Sequence, residues 1–281
     1  MPLVSTGELV SAAVAEGRGV AAFNVITLEH ADAIAAGAEQ AGAPAILQIS
    51  ENAVKFHGGR LSAIAAAAAA VARASSARLS LHLDHVVSAD LLRAADGEGF
   101  SSVMFDASKL PYDENVKATA DAVRWGHERG IWIEAELGKV GGKEGEAPLD
   151  AHTPGVRTDP SEAAAYVAAT GVDALAVAVG SSHAMTERTA ALDHTLISAL
   201  RAKVPVPLVL HGSSGVPDAE IRKAVTSGMT KINVGTALNT AFTGAVRTFL
   251  DANPQAVDPR KYLVPARTAM AGTVAGFLGL L

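Results

Sequence analysis

Short apolar runs alternate with longer amphipathic stretches along the whole chain. Eight runs rich in apolar and β-branched residues predict strands over residues 20–24, 45–49, 79–84, 102–105, 131–136, 174–179, 207–211 and 231–234. The ends of the first and last runs, Asn24 and Val234, are 210 residues apart, so the seven intervals average about 30 residues. That interval is the size of one strand with its helix.

Helix signals stand between these runs. Asp159 is a candidate N-cap before Pro160 at the first helical position, and Gly171 is a candidate end of that helix. Ser88 can cap another helix. Eight β-then-α units in 281 residues predict a single α/β domain folded as a (β/α)8 (TIM) barrel. The alternative is an open doubly wound sheet, but no Gly-x-Gly-x-x-Gly follows the first strand.

Polar side chains stand where most of the predicted strands end. They are Asn24, Gln48, Asp84, His85, Asp106, Glu136, His211 and Asn233, with His183 just after the sixth strand. In such barrels the carboxyl ends of the strands form one mouth, where the chemistry is located. These residues therefore predict a shared site.

Three of these residues, His85, His183 and His211, come from separate strand ends. Three neutral imidazoles can hold a divalent ion and leave one coordination position open, as in catalytic zinc sites. His82 alternates with the ligands along its strand, so we interpret it as a packing residue.

Composition narrows the choice of partners. The chain has no cysteine, so disulfides and thiolate metal sites are excluded. The net charge is −6 and no run of Lys or Arg occurs, which argues against nucleic acid. Neither a secretory signal nor a membrane-spanning apolar stretch is visible, so we expect a cytoplasmic protein with no membrane partner.

With these residues in place, the chain resembles the class II ketose-bisphosphate aldolases, in particular the fructose- and tagatose-bisphosphate branch. The resemblance covers almost the whole chain and rests on residues 22–24, 81–85, 134–138, 208–212, 231–236 and 258–260. It implies a lyase of carbohydrate metabolism and glycolysis that reversibly cleaves a ketose 1,6-bisphosphate to dihydroxyacetone phosphate and glyceraldehyde 3-phosphate. It also implies a homodimer or homotetramer.

By this resemblance His85, His183 and His211 bind Zn²⁺ or another divalent cation, and Asp84 exchanges a proton with the aldehyde oxygen. Asp106 and Glu136 either form a second cation position or orient the histidines; a monovalent cation is a further expectation. Glu144, in an expected mobile lid near residues 138–158, takes a proton from dihydroxyacetone phosphate, unless it is only a solvated carboxylate.

The expected substrate-binding residues follow the seventh and eighth strands, apart from Asn24 at the first strand and Arg260 near the carboxyl end. They are Asn24, Gly212, Ser213, Ser214, Asn233, Val234, Gly235, Thr236 and Arg260. In the family, the arginine at the position of Arg260 reaches a phosphate in a neighbouring subunit, although an ordinary surface arginine is the alternative.

Three departures put the aldehyde half of the substrate in question. Ala184 stands where the family usually has glycine, residues 48–52 differ from the glycine-richer turns of the branch, and Val264 replaces a frequent arginine. Alternatives are therefore an aldolase that uses a different aldehyde, a non-catalytic metal-binding barrel subunit, or a zinc hydrolase. For Lys231 we favour an ion pair with a barrel carboxylate, for which Glu134 is the candidate, over a Schiff base.

Overall fold

The computed structural model describes residues 3–138, 140–141 and 157–281. Eight parallel strands form a closed barrel in chain order, each paired with its neighbours and β1 with β8. Their bounds are β1 Val20–Asn24, β2 Ala45–Ser50, β3 Leu79–Val86, β4 Ser102–Phe105, β5 Trp132–Leu137, β6 Ala174–Val177, β7 Leu208–Leu210 and β8 Met229–Val234. The predicted (β/α)8 barrel is confirmed. The single-domain organisation stays a prediction.

Eleven α-helices are present in the described part of the chain. They are α1 Thr6–Glu16, α2 Leu28–Ala41, α3 Glu51–Phe56, α4 Leu61–Ala74, α5 Ala89–Ala94, α6 Tyr112–His127, α7 Pro160–Thr170, α8 His194–Lys203, α9 Asp218–Ser227, α10 Thr236–Ala252 and α11 Pro259–Leu278. The cap signals are confirmed: Asp159 accepts from the backbone of α7, and Gly171 ends that helix in a left-handed conformation.

The strand boundaries differ from the predicted ones at the active face. The sixth and seventh strands end earlier than predicted, at Val177 and Leu210, because the chain turns towards the mouth at Gly180 and Gly212, both with positive φ. The third strand continues to Val86 through an irregularity in its pairing with β4. Hydrophobic pattern alone does not reveal such a turn or bulge.

The hydrophobic core lies mainly between the strands and the surrounding helices. A smaller apolar cluster, which includes Leu9, Val20 and Ile46, packs α1 against the barrel. Among the described residues, no helix combines the length and the apolar character needed to cross a lipid bilayer.

The carboxyl-terminal helix closes the barrel wall beside the first βα unit. Gly37 of α2 lies so near α11 that a Cβ added there would be 2.6 Å from the carbonyl oxygen of Ala271. Arg267 of α11 forms an ion pair with Asp32 of α2 at 2.8 Å. The last helix therefore packs directly against α2.

Candidate active site

The carboxyl ends of the strands surround a cavity of about 600 Å³. Its lining combines residues that the sequence predicts with others that it does not. The predicted ones are Asn24, Gln48, Asp84, His85, Asp106, His183, Gly212, Ser214, Asn233, Gly235 and Thr236. The structure thus brings residues separated by more than 200 positions into one pocket.

The three predicted histidines meet beside this cavity, which His85 and His183 line while His211 is fully buried. Their ring centroids are 4.8 Å apart for His85 and His211, 5.2 Å for His85 and His183, and 5.6 Å for His183 and His211. One ligand atom from each, together with a carboxylate oxygen of Glu136, lie within 4.8 Å of one another. Nitrogen and oxygen donors this close together fit a divalent ion of the zinc type.

A local irregularity of β3 lets two consecutive residues serve this site. Side chains normally alternate along a strand, so Asp84 and His85 would point to opposite faces. The pairing with β4 shifts register between Leu83 and Val86, and His85 has φ = 49°. The resulting turn brings the imidazole of His85 beside the other histidines, although Asp84 also lines the cavity.

Carboxylates hold two of the three imidazoles in place. Nδ1 of His85 lies 3.0 Å from Asp106 Oδ2, which leaves the opposite nitrogen for a metal. His211 has Glu136 Oε2 at 2.9 Å from Nδ1 and Glu134 Oε1 at 3.1 Å from Nε2. Asp106 contacts His85 directly, as a carboxylate that orients a metal-binding histidine does. Glu136 contacts His211 and is also one of the four residues that could hold a metal ion.

The two carboxylates also determine the protonation of His211. Burial opposes its charge, but hydrogen bonds to Glu134 and Glu136 raise its pKa to about 9. Because an imidazole binds a metal only in its neutral form, a cation held here would have to displace this proton. Metal affinity should therefore weaken as the pH falls below that value.

His183 is held through its backbone by the segment that follows β5. Its N–H donates to the carbonyl oxygen of Gly141 at 2.7 Å, and Gly141 forms a parallel bridge with Ser182. The next residue, Ala184, has φ = 58° and lines the cavity. A left-handed conformation is unstrained only for glycine, so the alanine at this position carries backbone strain.

An ion pair lies deeper in the barrel, below the histidines. Lys231 Nζ lies 2.9 Å from Glu134 Oε2 and donates to Asn233 Oδ1 at 2.8 Å. Burial would raise the pKa of Glu134, but the charge of Lys231 lowers it below the ordinary value. The expected pairing of Lys231 with Glu134 is confirmed.

Asp84 is a nearly buried carboxylate on the cavity wall. Burial alone would raise its pKa, but electrostatic interactions with the neighbouring His85 and with Lys231 lower it below the ordinary value. The side chain is therefore in its basic form before substrate binds.

The turns after β7 and β8 form one side of the cavity. Gly212 has φ = 69°, and an added Cβ would lie 2.4 Å from the carbonyl oxygen of Ser182. Ser214 Oγ accepts from the backbone N–H groups of Gly235 and Ala237, at 3.3 and 3.0 Å, at the start of α10. Small residues and a helix N-terminus at this position suit a phosphate group.

Several predicted residues lie elsewhere. Ser213 and Val234 are buried, and the Ser213 hydroxyl donates to the Leu210 carbonyl oxygen. Arg260 is exposed at the start of α11, where it pairs with Asp258, and it does not line this chain's cavity. Glu144 and most of the expected lid lie outside the described residues.

Sequence reasoning did not select Lys55, Val87, Lys109 and Asn239, which also line the cavity. Asn239 could have been found, because it lies three residues after Thr236 on the same face of α10. Lys55 lies in α3 after β2, and Lys109 lies in the turn after β4. The local sequence does not show whether a lysine at such a position lines a pocket or points into solvent.

A closed (β/α)8 barrel with three convergent histidines and a neighbouring carboxylate defines a metal-dependent enzyme of the barrel class. The family model for class II fructose-bisphosphate aldolase matches residues 4–281. The fructose-bisphosphate aldolase of Geobacillus stearothermophilus is 38% identical over 277 residues, which cover 98% of this chain and 96% of that protein. A probable fructose-bisphosphate aldolase of Bacillus subtilis is 39% identical, with the same coverage.

Solved structures agree with these matches. The YdjI aldolase of Escherichia coli K12 superimposes with a TM-score of 0.84 at 30% identity, covering 99% of this chain and 96% of the other. This chain belongs to the class II fructose-bisphosphate aldolase family. It is accordingly a metal-dependent aldolase, a carbon–carbon lyase.

Proposed function

We propose that this protein reversibly cleaves a ketose 1,6-bisphosphate, of the fructose or tagatose type, to dihydroxyacetone phosphate and glyceraldehyde 3-phosphate. The observation that carries this proposal is the convergence of His85, His183 and His211 beside the buried carboxylate of Asp84. The relatives named as fructose-bisphosphate aldolases support the same substrate.

The three histidines would hold the divalent cation, with Glu136 close enough to join them. Zinc is the proposed ion because three imidazoles with an open position are typical of catalytic zinc, although cobalt, iron and manganese accept the same donors. When bound, the cation stabilises the negative charge that develops on the enediolate. We assign Asp106 the orienting role, because its carboxylate contacts His85. A second divalent or a monovalent cation remains a prediction.

Asp84 moves the proton of the bond-breaking step. As a base, it removes the proton from the C4 hydroxyl of the ketose, the C3–C4 bond breaks, and its electron pair remains on C3. In the reverse direction the protonated Asp84 returns this proton to the aldehyde oxygen. The lowered pKa of Asp84 favours the form that begins cleavage.

The phosphate of the dihydroxyacetone half is proposed to lie against Gly212, Ser214, Gly235 and Thr236, with Ser213 and Val234 contributing backbone. Asn24 and Asn233 lie at the adjacent strand ends and would bind substrate hydroxyl or carbonyl groups. Glu144 is proposed as the group that exchanges a proton with the enediolate carbon, carried by a lid that excludes water.

We further propose a homodimer or homotetramer in which Arg260 of one protomer reaches the second phosphate in its partner's site. Helix α10 supports this, because only Leu238 of its 17 residues is buried. Val257 and Val264 nearby are 90% and 53% exposed. Apolar surface of this kind is typical of subunit contacts. The cytoplasm remains the expected location.

The substrate is tested by measuring cleavage of fructose and tagatose 1,6-bisphosphates side by side. Higher kcat/KM for one isomer identifies the natural configuration at C4. Failure of both, with retained proton exchange on dihydroxyacetone phosphate, would assign a different aldehyde to this site.

The role of Asp84 is tested by Asp84→Asn, which keeps the shape of the side chain but removes the base. We expect kcat to fall by about 10²–10⁴-fold with metal content unchanged. Asp90→Asn is the control, since Asp90 is 97% exposed and pairs only with Arg93 among the described contacts. Turnover of Asp84→Asn at the control's level would remove Asp84 from the mechanism.

A further inference from the structure

A directed series of side-chain hydrogen bonds runs through the barrel interior and reaches His82 on β3. The Ser102 hydroxyl donates to Thr6 Oγ1 at 2.7 Å, and the Thr6 hydroxyl donates to Ser80 Oγ at 3.1 Å. His82 Nδ1 lies 2.8 Å from Ser102 Oγ. Because the Ser102 proton is directed to Thr6, Ser102 accepts from His82, and Nδ1 therefore carries the ring proton.

The other ring nitrogen of His82 is then an acceptor that faces two further acceptors. Nε2 lies 3.8 Å from Asp84 Oδ1 and 3.9 Å from Glu134 Oε2. Burial, together with the charge of Lys231, lowers the pKa of His82 to about 3, which keeps the ring neutral. Both separations are longer than a direct hydrogen bond allows.

These atoms are buried and lack hydrogen bonds within the described part of the chain. His82 and Glu134 are 0% exposed and Asp84 is 2% exposed. His82 Nε2 and Asp84 Oδ1 have no hydrogen-bond partner there, and Glu134 Oε2 has only its ion pair with Lys231. A buried acceptor without a donor costs about 1–3 kcal/mol. A donor with two hydrogens placed between His82 Nε2 and Asp84 Oδ1 would offset this cost for both atoms.

We propose that one water molecule is held between His82 Nε2 and Asp84 Oδ1, and that His82 thereby acts as a positioning residue for Asp84. A separation of 3.8 Å is too long for a direct hydrogen bond. A water that donates one hydrogen to each atom at about 2.8 Å, through slightly bent hydrogen bonds, can bridge this separation. Asp84 is then fixed from the barrel side while it lines the cavity. This inference rests on the proposed role of Asp84.

Two substitutions of His82 separate this role from simple packing. The amide of His82→Asn lies near the position of Nδ1, so it keeps the contact with Ser102 but loses the group that faces Asp84. The longer side chain of His82→Gln places its amide near Nε2 and can keep the water. A packing role would make the shorter and the longer amide about equally harmful.

For His82→Asn we expect cleavage kcat to fall by about 10–100-fold, with KM and metal content unchanged, because a displaced catalytic group loses about this much. Solvent-proton exchange on dihydroxyacetone phosphate, which does not use Asp84, should stay at the wild-type rate. His82→Gln should recover most of the cleavage activity. Equal losses in both variants, or an equal fall of cleavage and exchange in His82→Asn, would overturn the proposal.

A high-resolution crystal structure of the wild-type holoenzyme decides the matter even if the variants do not fold. We expect an ordered water within about 3.2 Å of both His82 Nε2 and Asp84 Oδ1. A direct contact between these atoms, or no water there, would overturn the proposal. If the wild type exchanges protons on dihydroxyacetone phosphate but cleaves neither bisphosphate, the proposed function is wrong. The crystal structure then still shows whether a water lies between His82 and Asp84.

Discussion

The two sides of the cavity are built by different means. The side formed after β7 and β8 consists of backbone and small residues, with Gly212 in a left-handed conformation against Ser182 and Ser214 bonded to the start of α10. The opposite side consists of longer side chains, among them Asn52, Lys55 and Lys109. Backbone geometry fixes the first side rigidly, whereas exchange of one side chain can alter the second. The side proposed for the phosphate is therefore shaped by backbone, whereas the side proposed for the aldehyde depends on individual side chains.

The largest effect is expected from Gly212→Ala, which tests whether backbone shape defines the phosphate side. The added methyl would lie 2.4 Å from the Ser182 carbonyl oxygen, so the turn must move. We expect KM for dihydroxyacetone phosphate to rise by about 10–100-fold, through lost hydrogen bonds to the charged phosphate. Steady-state condensation kinetics measure this value.

Gly17→Ala is the matched control for that substitution. Gly17 has φ = 64°, close to the 69° of Gly212, but an added Cβ would have no atom within 4 Å. Gly17→Ala should lose about 1–2 kcal/mol of unfolding free energy from the left-handed backbone. Gly212→Ala should lose at least as much, because its turn must also move. A KM for Gly212→Ala equal to that of Gly17→Ala would show that the close approach is irrelevant to binding.

An intermediate effect is expected from Lys109→Gln on the opposite side. Lys109 is exposed at the cavity rim, where a cation can meet the second phosphate. We expect kcat/KM for the bisphosphate to fall by about tenfold, since a hydrogen bond to a charged group is removed. Proton exchange on dihydroxyacetone phosphate should not change.

Lys117→Gln, on the outer face of α6 where Lys117 pairs with Asp121, is the control for this experiment. If Lys109→Gln lowers exchange as much as cleavage, the division of the cavity into two sides is wrong.

The smallest effect is expected from Ala184→Gly, next to His183. Relief of the left-handed alanine at φ = 58° should outweigh the greater freedom of glycine in the unfolded chain. We expect about 0.5–1 kcal/mol of stabilisation, seen as a small rise in Tm. Ala191→Gly serves as the control, because this exposed residue has no positive φ and should only lose stability. A Tm of Ala184→Gly below that of the wild type would show that the left-handed backbone of Ala184 is not strained.

The sequence predicted the elements that follow from regular patterns. Eight strands, the helix caps and the meeting of His85, His183 and His211 all follow from periodicity and from the rule that parallel strands end at one face. The bulge that turns His85 towards the site did not follow, because it depends on the pairing with β4.

The polar contacts inside the barrel were also beyond the sequence. Glu136 and Glu134 contact His211 across 75 and 77 residues of sequence. These contacts depend on how the strands align in the barrel, which the sequence does not show. His82 was interpreted as packing, yet its ring is hydrogen-bonded and faces Asp84. Lys55 and Lys109 showed no signal, since an exposed lysine looks the same along a chain whether or not it faces a pocket.

The most direct test of the metal site is cleavage of fructose 1,6-bisphosphate before and after chelation, with metal content measured in the same samples. We expect cleavage to disappear when the divalent cation is removed and to return after one equivalent of Zn²⁺ per chain is added. Full turnover by protein shown to be metal-free, or borohydride trapping of substrate on Lys231, would contradict the account.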